Sequence, residues 1–239
     1  MNINAWLPSL LKIISQERDV SAQNVKFALE DCIADCYFEY FKQDVSIRIE
    51  MDGSIISWFD SYNYQKVLDI RRIPRKVIKM VKKRLPGYIQ DIESNERYNY
   101  WRQFRATARE GVIVRKSQEK IDVDLGGQTG FMTISHTIKG ENYIPGQSKQ
   151  FYILKVSKSN VIYLSRKTRS LPAALFAQAL PWGTFVCTRR IPGVRSHIIT
   201  DTYLQNKKIL RDVSKELGEI ITWEIDGSIS RRSRIAQVV

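Results

Sequence analysis

Apolar residues recur every three or four positions after Ser21, at Val25, Leu29, Cys32, Ile33, Cys36 and Tyr40. That spacing collects them on one face of an α-helix, and Ser21 supplies a side-chain oxygen to cap its first turn. After Gln43 the period drops to two. Val45, Ile47 and Ile49 alternate with Ser46, Arg48 and Glu50, Asp52-Gly53 turns the chain, and Ile55-Ile56-Ser57-Trp58-Phe59 returns it, which predicts a β-hairpin. Pro74 opens a second helical segment, with Val77, Ile78, Val81 and Leu85 on one face and Arg75, Lys76, Lys79, Lys82, Lys83 and Arg84 around the rest. Pro86-Gly87 is expected to stop it, leaving a short basic helix. A further helix is expected within residues 88–106, which are rich in Tyr, Arg and Asn.

From Gly111 the pattern becomes five short β-type runs, at 111–116, 120–125, 129–134, 149–156 and 160–165, separated by Gly, Ser-Asn and Pro-Gly signals. Five strands in about sixty residues are what a small Greek-key barrel of the OB type requires. Helical character returns from Leu171 to Leu180. A strand (Thr184 to Arg190), a Pro192-Gly193 turn, a strand (Arg195 to Thr200), a helix (203–217) and a last strand (220–225) follow. The expected fold is therefore α+β and multidomain: an α+β head at 1–106, a five-stranded barrel at 107–168 and a mixed α/β unit at 169–239, with a frayed end from Ser228.

Charge adds a partner to this picture. The chain of 239 residues has 38 Lys and Arg against 25 Asp and Glu, a net +13, which favours a polyanion. The excess is unevenly placed: residues 1–69 hold 6 basic and 11 acidic side chains, whereas 70–106 hold 11 basic and 3 acidic. Residues 107–168 and 169–239 are each +5. An acidic head on a basic body suggests two kinds of partner. A 43% hydrophobic fraction provides for a buried core. No run approaches the ~20 apolar residues of a membrane helix, and the apolar stretch Trp6 to Ile14 is broken by Pro8 and Lys12; neither a span nor a secretory signal is expected. The three cysteines, Cys32, Cys36 and Cys187, cannot all pair in one chain, so a reducing compartment is the simpler reading. Cys32 and Cys36 are expected in the core. Two histidines make a metal site improbable, and neither a metal nor a cofactor is expected. Abundant Ile, Lys, Asn and Ser fit an AT-rich genome, bacterial or organellar.

The stretches Glu110-Gly111-Val112-Ile113-Val114, Ile121-Asp122-Val123-Asp124-Leu125-Gly126, Gly130-Phe131-Met132-Thr133-Ile134 and Pro145-Gly146-Gln147 resemble the RNA-binding S1 motif. Leu164-Ser165-Arg166, Leu175-Phe176, Leu180-Pro181, Pro192-Gly193-Val194-Arg195-Ser196-His197-Ile198, Val213 to Glu219 and Trp223 then follow in an order that resembles the barrel-to-KH junction of the NusA family of transcription elongation, termination and antitermination factors. The likeness is strong over 110–224 and is one of layout in the head. It departs where the family's KH unit grips RNA with a Gly-x-x-Gly loop: Leu204-Gln205-Asn206-Lys207 stands there, without glycine. Either the grip is lost or Lys207, Lys208 and Arg211 replace close backbone approach with charge. Ala179 and Trp182 stand where the family tends to have glutamates, and a second KH unit is not expected.

The resemblance implies a non-enzymatic factor whose head docks on a multisubunit bacterial-type RNA polymerase near the RNA exit channel while barrel and tail hold nascent single-stranded RNA, modulating pausing, termination and antitermination. The candidate RNA contacts are Lys116, Lys155, Arg166 and Lys167 for phosphates, Phe131 and His136 for bases, Arg189, Arg190 and Arg195 beside the turn, and Lys207, Lys208 and Arg211 in the tail. Phe131 has two readings, base stacking or barrel core. Candidate polymerase contacts are Leu29, Ile33 and Phe41 with Arg75, Lys76 and Lys79 of the basic helix, which suit polymerase acids or RNA equally. The free chain is expected to be monomeric and off the membrane, in the bacterial cytoplasm or a plastid stroma. The alternative is a free-standing S1/KH RNA-binding protein of translation or RNA decay. A third reading, an S1-barrel ribonuclease, rests on Asp122 and Asp124 sharing a strand face; it lacks the further carboxylates that hold metal ions.

Overall fold

The computed structural model describes residues 21–49, 56–60, 63–67, 74–203 and 207–227, with 56–60 and 63–67 described by backbone alone. The Trp6–Ile14 stretch, the Asp52-Gly53 turn, Leu204 to Asn206 and the end from Ser228 lie outside the described residues. The chain forms two compact units, Met1–Arg97 and Tyr98–Val239.

In the first unit the expected helix, α1, spans Ala22–Phe41; Ser21 Oγ accepts the Asn24 N–H at 3.2 Å. It ends at Lys42, in the left-handed region at φ 58°, whose N–H donates to the Phe38 carbonyl at 2.7 Å. Strand β1 (Val45–Ile49) alternates buried and exposed positions and pairs antiparallel with β2 (Ile56–Asp60), which pairs with β3 (Asn63–Val67). The core joins Leu29, Cys32, Ile33 and Cys36 of α1 to Val45, Ile47 and Ile49 of β1 and to Val77, Val81, Leu85 and Ile89 of a second helix. Cys32 and Cys36 are buried as expected, and burial pushes the Cys32 thiol up to about 12.

That second helix, α2, corrects the expected stop at Pro86-Gly87. It runs unbroken over Arg75–Arg102 with Pro86 inside, and the separate helix expected in 88–106 is its continuation. An interior proline costs about 3 kcal/mol through a lost hydrogen bond and a ring clash. The stripe Val77, Val81, Leu85, Ile89, four residues apart and buried on both sides of the proline, outweighs it, because most helix stability comes from tertiary packing.

The second unit begins with a closed barrel: β4 (Ala108–Lys116), β5 (Lys120–Asp124), β6 (Thr129–Thr133), β7 (Ser148–Val156) and β8 (Ile162–Ser165), ordered β4-β5-β6-β8-β7. All neighbours are antiparallel except β6 and β8, an OB-like arrangement. Ile113, Ile121, Val123, Met132, Phe151, Ile153, Ile162 and Leu164 fill it, and Trp101 and Tyr143 join the same core. Gly111 is required for close packing: a Cβ there would lie 2.5 Å from Val123 Cγ1.

Helix α3 (Leu171–Ala179), β9 (Phe185–Ile191), β10 (Arg195–Thr200), α4 (Lys207–Leu217) and β11 (Ile220–Ile225) complete the unit, the described part of α4 starting at Lys207. The sheet order is β11-β10-β9, with β10 antiparallel to β9 and parallel to β11. Leu171, Leu175 and Phe176 of α3 share a core with Val213 and Leu217 of α4 and with Cys187 and Ile198 of the sheet. No helix among the described residues is long and apolar enough to cross a membrane.

Candidate nucleic-acid interface

Around the barrel, one register row crosses all five strands. Arg115 of β4 faces Asp122 of β5, Asp122 faces Phe131 of β6, Phe131 faces Tyr163 of β8, and Tyr163 faces Lys155 of β7. Side chains directly opposite on paired strands share a sheet face. Their sequence neighbours Ile121, Val123, Met132, Ile162 and Leu164 are the buried ones, so this row points outward. Phe131 is therefore not a barrel-core residue: it is half-buried on the outer face, and the core position belongs to Met132.

The row has a working geometry. The Phe131 and Tyr163 rings sit 4.7 Å apart in an edge-on arrangement, the packing that aromatic quadrupoles favour. Lys120 Nζ lies 5.4 Å from the Phe131 ring centroid, within cation–π range. Asp122 accepts from Arg115 Nη2 at 2.8 Å and pairs with Lys120 Nζ at 3.1 Å. Burial opposes ionisation of Asp122, but the hydrogen bonds and charges of Arg115 and Lys120 outweigh it and hold its carboxyl below the usual range. Two cations share one carboxylate, leaving the patch positive. Asp124 is occupied differently: its Oδ1 accepts the N–H groups of Gly126 and Gly127 at 3.0 and 3.2 Å. The aspartates of the ribonuclease reading thus hold an ion-pair cluster and a turn.

Lys116, Lys155 and Lys167 are exposed at the barrel surface. His136 is half-buried, with Nδ1 3.1 Å from Ser165 Oγ and its carbonyl accepting the Arg166 and Lys167 N–H groups.

Two candidate phosphate contacts are corrected. Arg166 is fully buried (0% exposed), donating to Glu141 at 2.5 and 3.0 Å, to Glu216 Oε1 at 2.7 Å and to the carbonyls of Gln150 and Glu216. With Lys149 on Glu141 at 3.0 Å, two cations balance two carboxylates, and the cluster ties the barrel to α4. Burial opposes the charge on Arg166 and on Glu141, yet their mutual attraction prevails, raising the arginine and lowering the glutamate. Arg190 likewise forms a buried fork with Glu219, whose side chains are 1% and 0% exposed. Glu219 also accepts from Gly193 N–H at 2.9 Å and Ser196 Oγ at 2.5 Å, and Arg190 donates to the Thr168 carbonyl. Neither guanidinium has a free donor face for RNA. Arg189, Arg195, Lys207, Lys208 and Arg211 are exposed.

In the first unit, Leu29 and Ile33 are 0% and 2% exposed. They are corrected from contact residues to core, because the helical face they share is the one packed on β1 and α2. Phe41 stays exposed together with Phe27, Phe38 and Tyr40. Tyr37, Tyr40 and Phe41 cluster at 4.5 and 4.7 Å, and Lys76 Nζ lies 5.7 Å from the Tyr40 ring. Arg75 and Lys79 are exposed on α2.

Sequence reasoning missed Tyr163 and Phe38, and it placed Tyr40 on the apolar face of α1, where the structure leaves it exposed. Ile162 and Leu164 being apolar on both sides of Tyr163 was the available signal, since a strand alternates faces. For α1, the run Tyr37-Phe38-Glu39-Tyr40-Phe41 turns by about 100° per residue and cannot all face one core.

No family model matches the chain, and no curated protein matches it. Among solved structures, it is similar to an uncharacterized protein from Methanocaldococcus jannaschii over 26% of this chain and 88% of that one, at 17% identity and a TM-score of 0.24. It is also similar to a multidomain protein with nucleic acid binding domains from Streptococcus pneumoniae, over 58% of this chain, at 14% identity and a TM-score of 0.27. The chain spans 42% of the length of that pneumococcal protein.

Proposed function

We propose that this protein is a non-enzymatic, NusA-like transcription factor that holds nascent single-stranded RNA on its barrel and docks on a multisubunit, bacterial-type RNA polymerase through its head. The observation that carries the RNA half is the outward row Arg115, Asp122, Phe131, Tyr163, Lys155. Two adjacent rings with cations at both ends of the row offer stacking to bases of any sequence and charge to the backbone. The helix-strand-strand-helix-strand order of the tail, with β10 parallel to β11, supports reading it as a reduced KH-like unit in which exposed Lys207, Lys208 and Arg211 add attraction for the polyanion.

The polymerase half is supported by the exposed aromatics Phe38, Tyr40 and Phe41 of α1, with the Tyr40 and Phe41 rings in edge contact and Lys76 over the Tyr40 ring. Exposed large aromatics grouped on one surface mark protein interaction sites. Docking would place emerging transcript at an effective concentration on the order of millimolar for short linkers, so a weak barrel contact suffices to redirect the RNA path and alter pausing and termination. The test is co-elution of the full chain with nuclease-treated polymerase at moderate salt. Co-elution supports the tethered factor; RNA binding without it assigns the chain to the free-standing RNA-binding class.

A further inference from the structure

The face of the β9-β10-β11 sheet turned away from α3 and α4 carries a grid of side chains set by register. Ile191, Arg195 and Ile220 form one row, Arg189, His197 and Thr222 the next, and Val186, Ile199 and Glu224 the third. Alternate residues Cys187, Ser196, Ile198 and Thr200 are buried on the helix side, so the grid faces outward. A cleft of about 610 Å³ lies on it, lined by Arg189, Ile191, Arg195, His197, Ile199 and Thr222 among others.

His197 sits at the centre, its Nδ1 3.0 Å from Thr222 Oγ1 and its Nε2 3.5 Å from Glu224. The imidazole is therefore oriented from one side. Arg189 and Arg195 are exposed, and neither forms an ion pair among the described residues. They are diagonal neighbours on adjacent strands, about 7–8 Å apart by sheet geometry. Arg190 between them in sequence is withdrawn into its Glu219 fork, on the opposite face.

We infer that this open sheet face is a second seat for single-stranded RNA, with one base on the His197 imidazole and the Ile191 and Ile199 side chains, and neighbouring phosphates on Arg189 and Arg195. The inference rests on the reading of the chain as a single-stranded RNA binder and adds to it a seat separate from the barrel row. The centre of the face favours RNA over a protein partner. Protein interface cores are depleted of charge and anchored by large aromatics, whereas here the centre holds an arginine and a histidine. Aromatic side chains, His included, and apolar floors are what unstacked bases rest on, and unpaired guanidiniums match phosphate oxygens.

The test uses the full chain and a fluorescent single-stranded oligouridylate, comparing three changes. Arg189→Glu with Arg195→Glu alters the sheet face at two exposed positions. Lys139→Glu with Lys158→Glu makes the same charge change at two exposed loop positions outside the proposed RNA contacts and sets the purely electrostatic loss. Phe131→Ala with Tyr163→Ala removes the barrel stack. The expected result is a loss of about ten-fold for the sheet-face pair, at least three-fold more than for the loop pair, with the salt slope shallower by about 1.4 for two lost phosphates. His197→Ala should weaken binding about five-fold with the slope unchanged. Equal losses for the two charge pairs would overturn the seat while leaving the RNA reading intact, provided the barrel variant still loses affinity. A sheet-face pair that keeps RNA affinity but loses binding to an oligoglutamate probe would overturn it in favour of an acidic protein segment. Absence of RNA binding by the unaltered chain would defeat the RNA reading itself.

Discussion

Phe131 and Tyr163 face each other across the one parallel pairing of the barrel, with ring centroids 4.7 Å apart. Neither belongs to the barrel interior, which their sequence neighbours Met132, Ile162 and Leu164 fill. The pair is thus spare apolar surface held at the middle of a basic row. Base–aromatic stacking is worth about 1–3 kcal/mol per base. Phe131→Ala and Tyr163→Ala are each expected to lower single-stranded RNA affinity by that amount, read by fluorescence anisotropy, with little change in the urea unfolding midpoint. A midpoint that falls steeply with RNA affinity unchanged would return both rings to a purely structural role.

The Arg190–Glu219 fork gives a prediction of opposite kind. Both side chains are buried and every strong donor on Glu219 is a named partner. Removing one member strands the other charge, at a cost of about 3–5 kcal/mol. Glu219→Ala and Arg190→Ala should each lose that much stability in urea, and a double replacement by Leu and Met should lose less than the sum. RNA affinity of whatever remains folded should be unchanged, because Arg190 is not available to phosphate.

Glu141 makes the barrel-to-α4 connection sensitive to acid. Burial works against its charge, but Arg166, Tyr143 and Lys149 together hold its carboxyl below the usual range. A carboxyl lowered in the folded state contributes stability that is fully present above its unfolded pKa of about 4.3 and is lost as pH falls through the lower folded value. Chemical denaturation at stepped pH should therefore show stability falling below about pH 4.5, and Glu141→Gln should flatten that acid limb while lowering stability at neutral pH. An unaltered acid limb in the variant would contradict the assignment.

In the head, Phe38 is half exposed at 50% and Phe41 is exposed at 39%. Phe38→Ser with Phe41→Ser should weaken polymerase co-elution by at least ten-fold at unchanged thermal stability. Reversal of Arg75, Lys76 and Lys79 to Glu decides whether the basic face of α2 meets protein acid or RNA: the first lowers polymerase association, the second lowers RNA affinity.

The barrel was legible because its signal is local. Each strand alternates, and the Gly and Pro-Gly signals fall between them, so the five runs were found within one to three residues of their limits; the tail's strands and helices followed for the same reason. Pro86 was not legible, since its cost is local while the compensating stripe from Val77 to Ile89 is visible only against the α1 and β1 residues it packs on. The candidate site split along a similar line. Lys116, Lys155 and Lys167 are exposed as a lysine ordinarily is, whereas Arg166 and Arg190 find carboxylates 50 and 29 residues away. Spacing carries no trace of such distant pairs, and an arginine in a basic run reads the same whether it faces solvent or Glu219.

The most direct measurement is the affinity of the full chain for a single-stranded oligouridylate across a salt series, with a duplex of equal length as competitor. Neutralising four to six phosphates predicts log K falling against log salt with a slope of about −3 to −4, and a residual affinity at high salt that Phe131→Ala abolishes. Binding that prefers the duplex, or that vanishes at high salt equally with and without the Phe131 ring, would contradict the barrel row as a single-strand platform.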